Sequence, residues 1–162
     1  MEFLLTDRLH ISPVALDDTD FMLKLLNSPG FIRFIGDRQV RTVEEAEAYI
    51  ANLINDPDIT YWVIRNKETK DSFGVVTWVK RDYLPAPDLG YALLPEFEGK
   101  GYAFEASQTW LTYQKRDHAS VLAICQADNA SSIKLLLKLG FSLQELFEKE
   151  GIVMHKYAMV AP

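Results

Sequence analysis

The sequence predicts one α+β domain: a mixed, mostly antiparallel seven-stranded sheet flanked by four helices. Three observations predict it. The chain has 162 residues, 48% of them hydrophobic and 12% aromatic, which suits one sizeable core and leaves little room for a second. Its segments alternate between period-two and helical patterning in the order β-α-α-β-β-β-α-β-α-β-β. The strand-helix-strand unit in the middle is a crossover, which pairs the fourth and fifth strands in parallel, whereas the hairpins on either side are antiparallel.

Each element has a local cause. Arg8-Leu9-His10-Ile11-Ser12-Pro13-Val14 alternates apolar with polar residues and stops near a proline, as a half-buried strand does. Asp17 or Asp18 can cap the helix that follows, where Phe21 and Leu25, then Met22 and Leu26, repeat at i and i+4; Ser28-Pro29-Gly30 is expected to break it. Thr42-Val43-Glu44-Glu45 has capping-box spacing, and Ala46, Tyr49, Ile50, Leu53 and Ile54 form one apolar stripe before Asp56-Pro57. Thr60 to Ile64 and Ser72 to Val79 are rich in aromatic and β-branched residues, and the polar turn from Asn66 to Asp71 joins them as a hairpin. Trp62 and Trp78, on that hairpin, read as core residues, with an aromatic wall beside an acceptor as the other reading.

Pro85 and Pro87 precede Asp88-Leu89-Gly90-Tyr91-Ala92-Leu93-Leu94, an apolar fourth strand that ends at Pro95. From Lys100 onward the period becomes helical: Ala103, Ala106, Trp110 and Tyr113 share one face, with Gln108, Gln114 and Lys115 outside it. Ser120 to Cys125 is a further apolar strand, Asn129 to Leu139 a helix stopped by Gly140, and two last strands meet near Lys149-Glu150-Gly151. No repeat, low-complexity tract or linker interrupts residues 1–162, so a single domain is expected.

The formal net charge is -6, so no global positive field exists to hold a nucleic-acid backbone. An acidic surface suits a cationic substrate, and equally suits ordinary solubility. Cys125 is the one cysteine, which precludes an intramolecular disulfide and any paired-cysteine zinc site; within its apolar run it reads as a small buried hydrophobe. His10, His118 and His155 are scattered and show no metal-ligand spacing, so no metal is expected. The N-terminus lacks a basic start and a continuous apolar stretch, and no segment approaches a membrane span; a soluble, cytoplasmic protein is expected.

Glu98-Gly99-Lys100-Gly101-Tyr102-Ala103 lies between a strand and a helix. The first N–H groups of a helix are unpaired and carry partial positive charge, so they can hold an anion, and glycines let it come close. Ala103 is small enough for the helix to pack tightly on the sheet. Turns of this kind also simply join strands to helices, so the two glycines alone leave both roles open.

The wider run from Gly90 to Ala106, GYALLPEFEGKGYAFEA, resembles the acetyl-CoA motif of the GNAT superfamily of N-acetyltransferases. Thr6-Asp7-Arg8-Leu9 and the block from Asn129 to Phe141, NASSIKLLLKLGF, are similar to one branch, the ribosomal-protein N-terminal (alanine/serine) acetyltransferases. The three blocks occur in the expected order across nearly the whole chain. The resemblance implies a GNAT-like fold whose parallel pair is splayed, acetyl-CoA as co-substrate, and transfer of an acetyl group to a primary amine. It implies that backbone amides from Glu98 through Gly99, Lys100, Gly101 and Tyr102 to Ala103 bind the coenzyme A pyrophosphate, with Leu93 and Leu94 lining the pantetheine arm.

The family usually has Arg or Gln where this chain has Glu98. A carboxylate repels a phosphate, so the Glu98 side chain is expected to turn to solvent and only its backbone to contribute. Lys100 and Lys134 are candidate phosphate contacts as well as ordinary solvent-facing residues. Asn129 is either a helix N-cap or, as the resemblance implies, a partner of the pantetheine arm. Ser132 either satisfies backbone in the first turn or sits near the thioester sulfur.

Acetyl transfer from a thioester to an amine needs a deprotonated nucleophile, help for charge developing on the carbonyl oxygen, and a proton for the departing thiolate. Amine pKa values lie near ~10, so a base is required. Asp88 is the candidate, with a strand-end surface charge as its other reading. A backbone N–H at Leu94 or its neighbour is expected to polarise the carbonyl. Many relatives use as acid a tyrosine four residues after the position of Ser132; this chain has Leu136 there, which leaves Ser132 first and Tyr91 second. The acceptor is an amine of a protein N-terminus or a small molecule, decided by residues from Phe31 to Val40 and around Tyr83. A non-catalytic acyl-CoA-binding module is the competing class, kept open by the missing tyrosine. The family often forms homodimers, and exposed aromatic residues on the last strands would suit one.

Overall fold

The computed structural model describes residues 2–114 and 120–160. Lys115 and His118 therefore lie outside the described residues. One eight-stranded sheet runs in the order β1-β2-β3-β4-β5-β6-β8-β7, from β1 (Leu4–Leu5), β2 (Leu9–Pro13), β3 (Ile59–Asn66), β4 (Ser72–Val79), β5 (Asp88–Leu93), β6 (Ser120–Gln126), β7 (Ser142–Lys149) and β8 (Ile152–Val160). Five helices accompany it: α1 (Thr19–Leu26), α2 (Pro29–Phe34), α3 (Val43–Asn55), α4 (Tyr102–Gln114) and α5 (Ala130–Leu139). Neighbouring strands are antiparallel except β5 and β6, as the central crossover predicts.

Two elements exceed the expected seven strands and four helices. β1 is a two-residue strand paired with β2 (Leu4 opposite Ile11), too short to show alternation. The second is α2. Ser28-Pro29-Gly30 ends α1, as expected, but Ser28 is extended (φ -68°, ψ 145°) and Pro29 takes the first helical position, where its missing N–H costs nothing.

The Thr42 hydroxyl oxygen accepts from the Glu45 N–H at 3.1 Å, which is half of the anticipated capping box. The reciprocal bond is shifted by one residue: Glu45 Oε1 accepts from the Arg41 N–H at 3.2 Å. At the other end of the sheet, Glu150 and Gly151 both have positive φ (52° and 80°), as a two-residue turn matched to strand twist requires.

Alternation along the strands divides the core into two layers. Met22, Leu25, Ile50 and Leu53 pack on Val63, Val75, Ala92 and Leu94 on one face. Ala106, Trp110 and Leu136 pack on Trp62, Ile64, Val76, Trp78 and Leu89 on the other. Trp62 and Trp110 meet edge to face, with ring centroids 4.8 Å apart. Trp62 and Trp78 are thus core residues, and neither lines the groove described below. The terminal hairpin exposes Leu143, Leu146, Ile152 and Val153, not the expected aromatic residues; Tyr157 is buried.

Candidate active site

β5 and β6 begin side by side and then separate. Asp88 and Leu122 stand opposite each other, and the Leu122 N–H donates to the Pro87 carbonyl at 3.0 Å. Beyond them the strands diverge around a groove of about 840 Å³, within the range of ~300–1,000 Å³ usual for small-molecule sites. The groove passes through the sheet. Leu89, Tyr91 and Leu93 of β5 face α4 and α5, whereas Asp88, Gly90 and Ala92 face the layer of α1 to α3.

The loop between β5 and α4 forms one wall. Gly99 and Gly101 have φ of 75° and 83°, a left-handed conformation that disfavours any side chain. A Cβ on Gly101 would also lie 3.3 Å from Arg8 Nη2. The Glu98 N–H donates to the Pro95 carbonyl at 3.2 Å, closing the preceding turn, so the amides left for an anion run from Gly99 to Ala103 rather than from Glu98. The Glu98 side chain is exposed at the groove's rim and leans toward α2, with Oε1 3.9 Å from where a Gly30 Cβ would be.

A clasp from the N-terminal motif holds this loop. Arg8 donates from Nε to Glu105 Oε1 at 2.8 Å and from Nη1 to the Lys100 carbonyl at 3.0 Å, with its guanidinium over the Tyr102 ring. The Thr6 hydroxyl donates to the other Glu105 oxygen. Burial pushes the Glu105 carboxyl up, but the hydrogen bonds from Thr6 and Arg8 outweigh it and hold it below the usual range. The motif Thr6-Asp7-Arg8-Leu9 signalled the family; its structural role lies in this contact.

Opposite the loop, the Tyr91 and Ser132 hydroxyls are 3.0 Å apart, either able to donate to the other. Burial pushes the Tyr91 phenol above its ordinary value, only partly offset by Ser132, so it stays protonated. Asn129 caps α5: its Oδ1 accepts from the Ser132 N–H at 3.2 Å, and its Nδ2 makes no hydrogen bond among the described residues. The cap role is therefore real, and Asn129 also lines the groove.

Asp88 is no surface charge; it is 2% exposed. Its Oδ2 accepts from Arg81 Nε at 2.5 Å. Burial raises its carboxyl above the ordinary carboxylate range, and Arg81 offsets part of that rise. Asp88 and the Tyr91–Ser132 pair thus occupy opposite sides of the sheet, joined by the groove. Gly90 lines the groove between them, and a Cβ there would collide with Thr77, 2.5 Å from its Oγ1.

Several anticipated residues are placed elsewhere. Leu93, Tyr102, Ala103 and Lys134 line the groove, but the Leu94 side chain lies in the core and the Lys100 side chain outside the lining. The Leu94 N–H donates to the Phe73 carbonyl at 2.8 Å, so it is not free for a ligand. Hydrogen bonding alternates along β5, which turns the neighbouring Leu93 N–H toward the open side. Lys138, over the Phe104 ring, also lines the groove, a contact with no warning in the sequence. Cys125 is buried beside it, its thiol pushed to about 11 by burial, which suits a structural residue. Among the described residues no group of acidic, histidine or cysteine side chains could hold a metal ion, and no helix is long and apolar enough to cross a membrane.

The sequence model of the acetyltransferase (GNAT) domain matches residues 8–142. This chain belongs to the GNAT acetyltransferases. The GNAT match includes the Arg8 clasp, the glycine loop and the Tyr91–Ser132 pair. Curated relatives include the uncharacterised N-acetyltransferase YoaA of Bacillus subtilis, 26% identical over 155 residues (91% of this chain, 84% of the relative). Another is the uncharacterised N-acetyltransferase p20 of Bacillus licheniformis, 28% identical over 160 residues (94% and 86%). Among solved structures, the ribosomal-protein α-N-acetyltransferase RimL in complex with coenzyme A has a TM-score of 0.86 at 18% identity, covering 98% of each chain. GNAT acetyltransferases use acetyl-CoA, and this chain's mostly antiparallel sheet with one parallel pair is a GNAT fold.

Proposed function

We propose that residues 1–162 form a single catalytic domain that moves an acetyl group from acetyl-CoA to a primary amine across the β5–β6 groove. The observation that carries this reading is the pair of hydroxyls, Tyr91 and Ser132, 3.0 Å apart on the side of the sheet that holds the glycine loop, with a buried carboxylate, Asp88, on the other side. Free amides from Gly99 to Ala103 suit a pyrophosphate, and Lys134 suits its charge. Leu93 lines the arm, its N–H suits a developing oxyanion, and Asn129 Nδ2 suits a carbonyl of the arm.

Base and acid then divide by side. Asp88 takes the proton of the ammonium, directly or through a water, on the α1–α3 side. Tyr91, kept protonated by burial, gives a proton to the departing thiolate and is resupplied through Ser132. This ordering differs from the expectation that Ser132 acts first. The acceptor is an amine of a protein N-terminus or a small molecule, and the exposed aliphatic residues of the β7–β8 hairpin suit a homodimer.

Incubating the protein with acetyl-CoA and a panel of amines tests the reading, with mass spectrometry of the amines and measurement of free thiol. Acetylated amine in step with thiol supports transfer. Coenzyme A binding with neither product would make the protein a non-catalytic acyl-CoA-binding module.

A further inference from the structure

A second cavity, of about 290 Å³, adjoins the groove on the Asp88 side and shares Tyr61 and Arg81 with it as a common wall. Its volume corresponds to roughly ten waters at ~30 Å³ each, enough for the distal part of a small acceptor. The ionic side chains of its lining are Arg38, Asp56 and Arg81. Arg81 is committed to Asp88. Asp56 turns Oδ1 to the Asp58 N–H at 2.9 Å. Arg38 has no ion pair among the described residues; its guanidinium lies 5.8 Å from the Phe31 ring centroid.

The loop that carries Arg38 is built, not slack. Arg41 reaches Asp37 Oδ2 at 2.6 Å and Asn27 Oδ1 at 2.7 Å, while Asn27 Nδ2 donates to the carbonyls of Leu23 and Val40 at 2.7 and 2.8 Å. These bonds fix the backbone on both sides of Arg38 to the end of α1. Gly36, at φ +132°, makes room for the guanidinium, since a Cβ there would lie 3.0 Å from Arg38 Nη1. Tyr61, half-buried and sharing the cavity wall with Tyr49, feels both Arg38 and Arg81. Burial and Tyr49 keep its phenol protonated, so this wall presents cations and hydroxyls.

We propose that the acceptor is a primary amine that also carries a carboxylate, and that Arg38 receives that carboxylate in the cavity beside the groove. The proposal rests on the reading of the groove as an acetyl-transfer site. With the amine at Asp88, the rest of the acceptor extends along Tyr61 toward Arg38. A chain with net charge -6 attracts no anion globally, so an anionic acceptor needs such a local cation. A planar guanidinium also matches a carboxylate with two parallel hydrogen bonds.

Two sources can supply this chemistry, a free amino acid or an acidic residue just after a peptide N-terminus. The test compares kcat/KM for matched pairs: glutamate and alanine against their α-carboxamides, and Ser-Asp peptides against Ser-Asn peptides. One pair class is expected to favour the acid about tenfold or more, which names the source. Arg38→Gln should bring that ratio toward one, and Arg38→Lys should restore part of it. Ratios within about twofold for both classes in the wild type, or a ratio that survives Arg38→Gln, would overturn the proposal. If no amine is turned over, the acetyl-transfer reading has failed separately. Calorimetry of the N-acetylated acids and amides on the coenzyme A-loaded protein then decides, with the same ratio expected and the same collapse in Arg38→Gln.

Discussion

The Tyr91 hydroxyl, on β5, and the Ser132 hydroxyl, in the first turn of α5, share a hydrogen bond of 3.0 Å across the opening between the parallel strands. Leu136, where many relatives place a tyrosine acid, is buried in the core. In the proposed reaction this pair supplies the proton donor instead.

Removing either hydroxyl should therefore slow turnover. Tyr91→Phe is expected to lower kcat about 100-fold, the lower end of the usual span of general acid catalysis, and Ser132→Ala, which acts through Tyr91, about 10-fold, while acetyl-CoA affinity changes little. The double variant should cost little more than Tyr91→Phe alone, because the two act as one donor. Steady-state kinetics with calorimetry of coenzyme A checks both statements.

The glycine loop should tolerate Glu98→Gln but not a side chain on either glycine. At φ of 75° and 83° an L-residue costs ~1–2 kcal/mol, so Gly99→Ala and Gly101→Ala should weaken coenzyme A about tenfold. Gly101→Ala should be the worse of the two, since its Cβ also crowds Arg8. Glu98→Gln should leave affinity unchanged or raise it by removing a carboxylate near the pyrophosphate. Calorimetric titration ranks the three.

The Arg8–Glu105 clasp predicts an acid limit for cofactor binding. Glu105 titrates below its unfolded value, so its stabilisation is present above that value, near ~4.3, and is lost as pH falls through the lowered folded one. Both side chains are partly exposed, so the effect on global stability should be modest. Coenzyme A affinity should hold from pH 7 down to the unfolded value near ~4.3 and weaken only below it, in titrations carried to about pH 3, and Glu105→Gln should flatten that fall.

Asp88 should set the acid limb of the pH–rate profile. Its carboxyl is raised by burial, so the rate should fall as pH drops through a value above the ordinary carboxylate range. Asp88→Asn should lower kcat/KM about 100-fold and abolish that limb. Arg81 then keeps its charge without its carboxylate partner, so a fall in Tm is expected as well.

What was legible in the sequence is what adjacent residues decide. The strand from Asp88, the glycine turn, the α5 stop at Gly140 in a left-handed conformation (φ 101°) and the turn at Glu150-Gly151 all follow from neighbours in the chain. In the sequence Pro29 reads only as the break after α1, but proline also suits the first position of a helix, and α2 begins there. The rest of the site depends on distant partners: Arg8 with Glu105, Tyr91 with Ser132, Leu94 with Phe73. Asp88 shows the same limit. Its type and place were visible, but its burial and its pairing with Arg81 arise only once β5 is enclosed.

The central claim is tested most directly by amine-dependent thiol release from acetyl-CoA, measured on wild type and Ser132→Ala beside calorimetric coenzyme A affinity. The prediction is amine-stimulated release by the wild type, about tenfold slower release by Ser132→Ala, and affinities within about twofold of each other. Tight coenzyme A binding without amine-stimulated release, or wild-type turnover by Ser132→Ala, would contradict it.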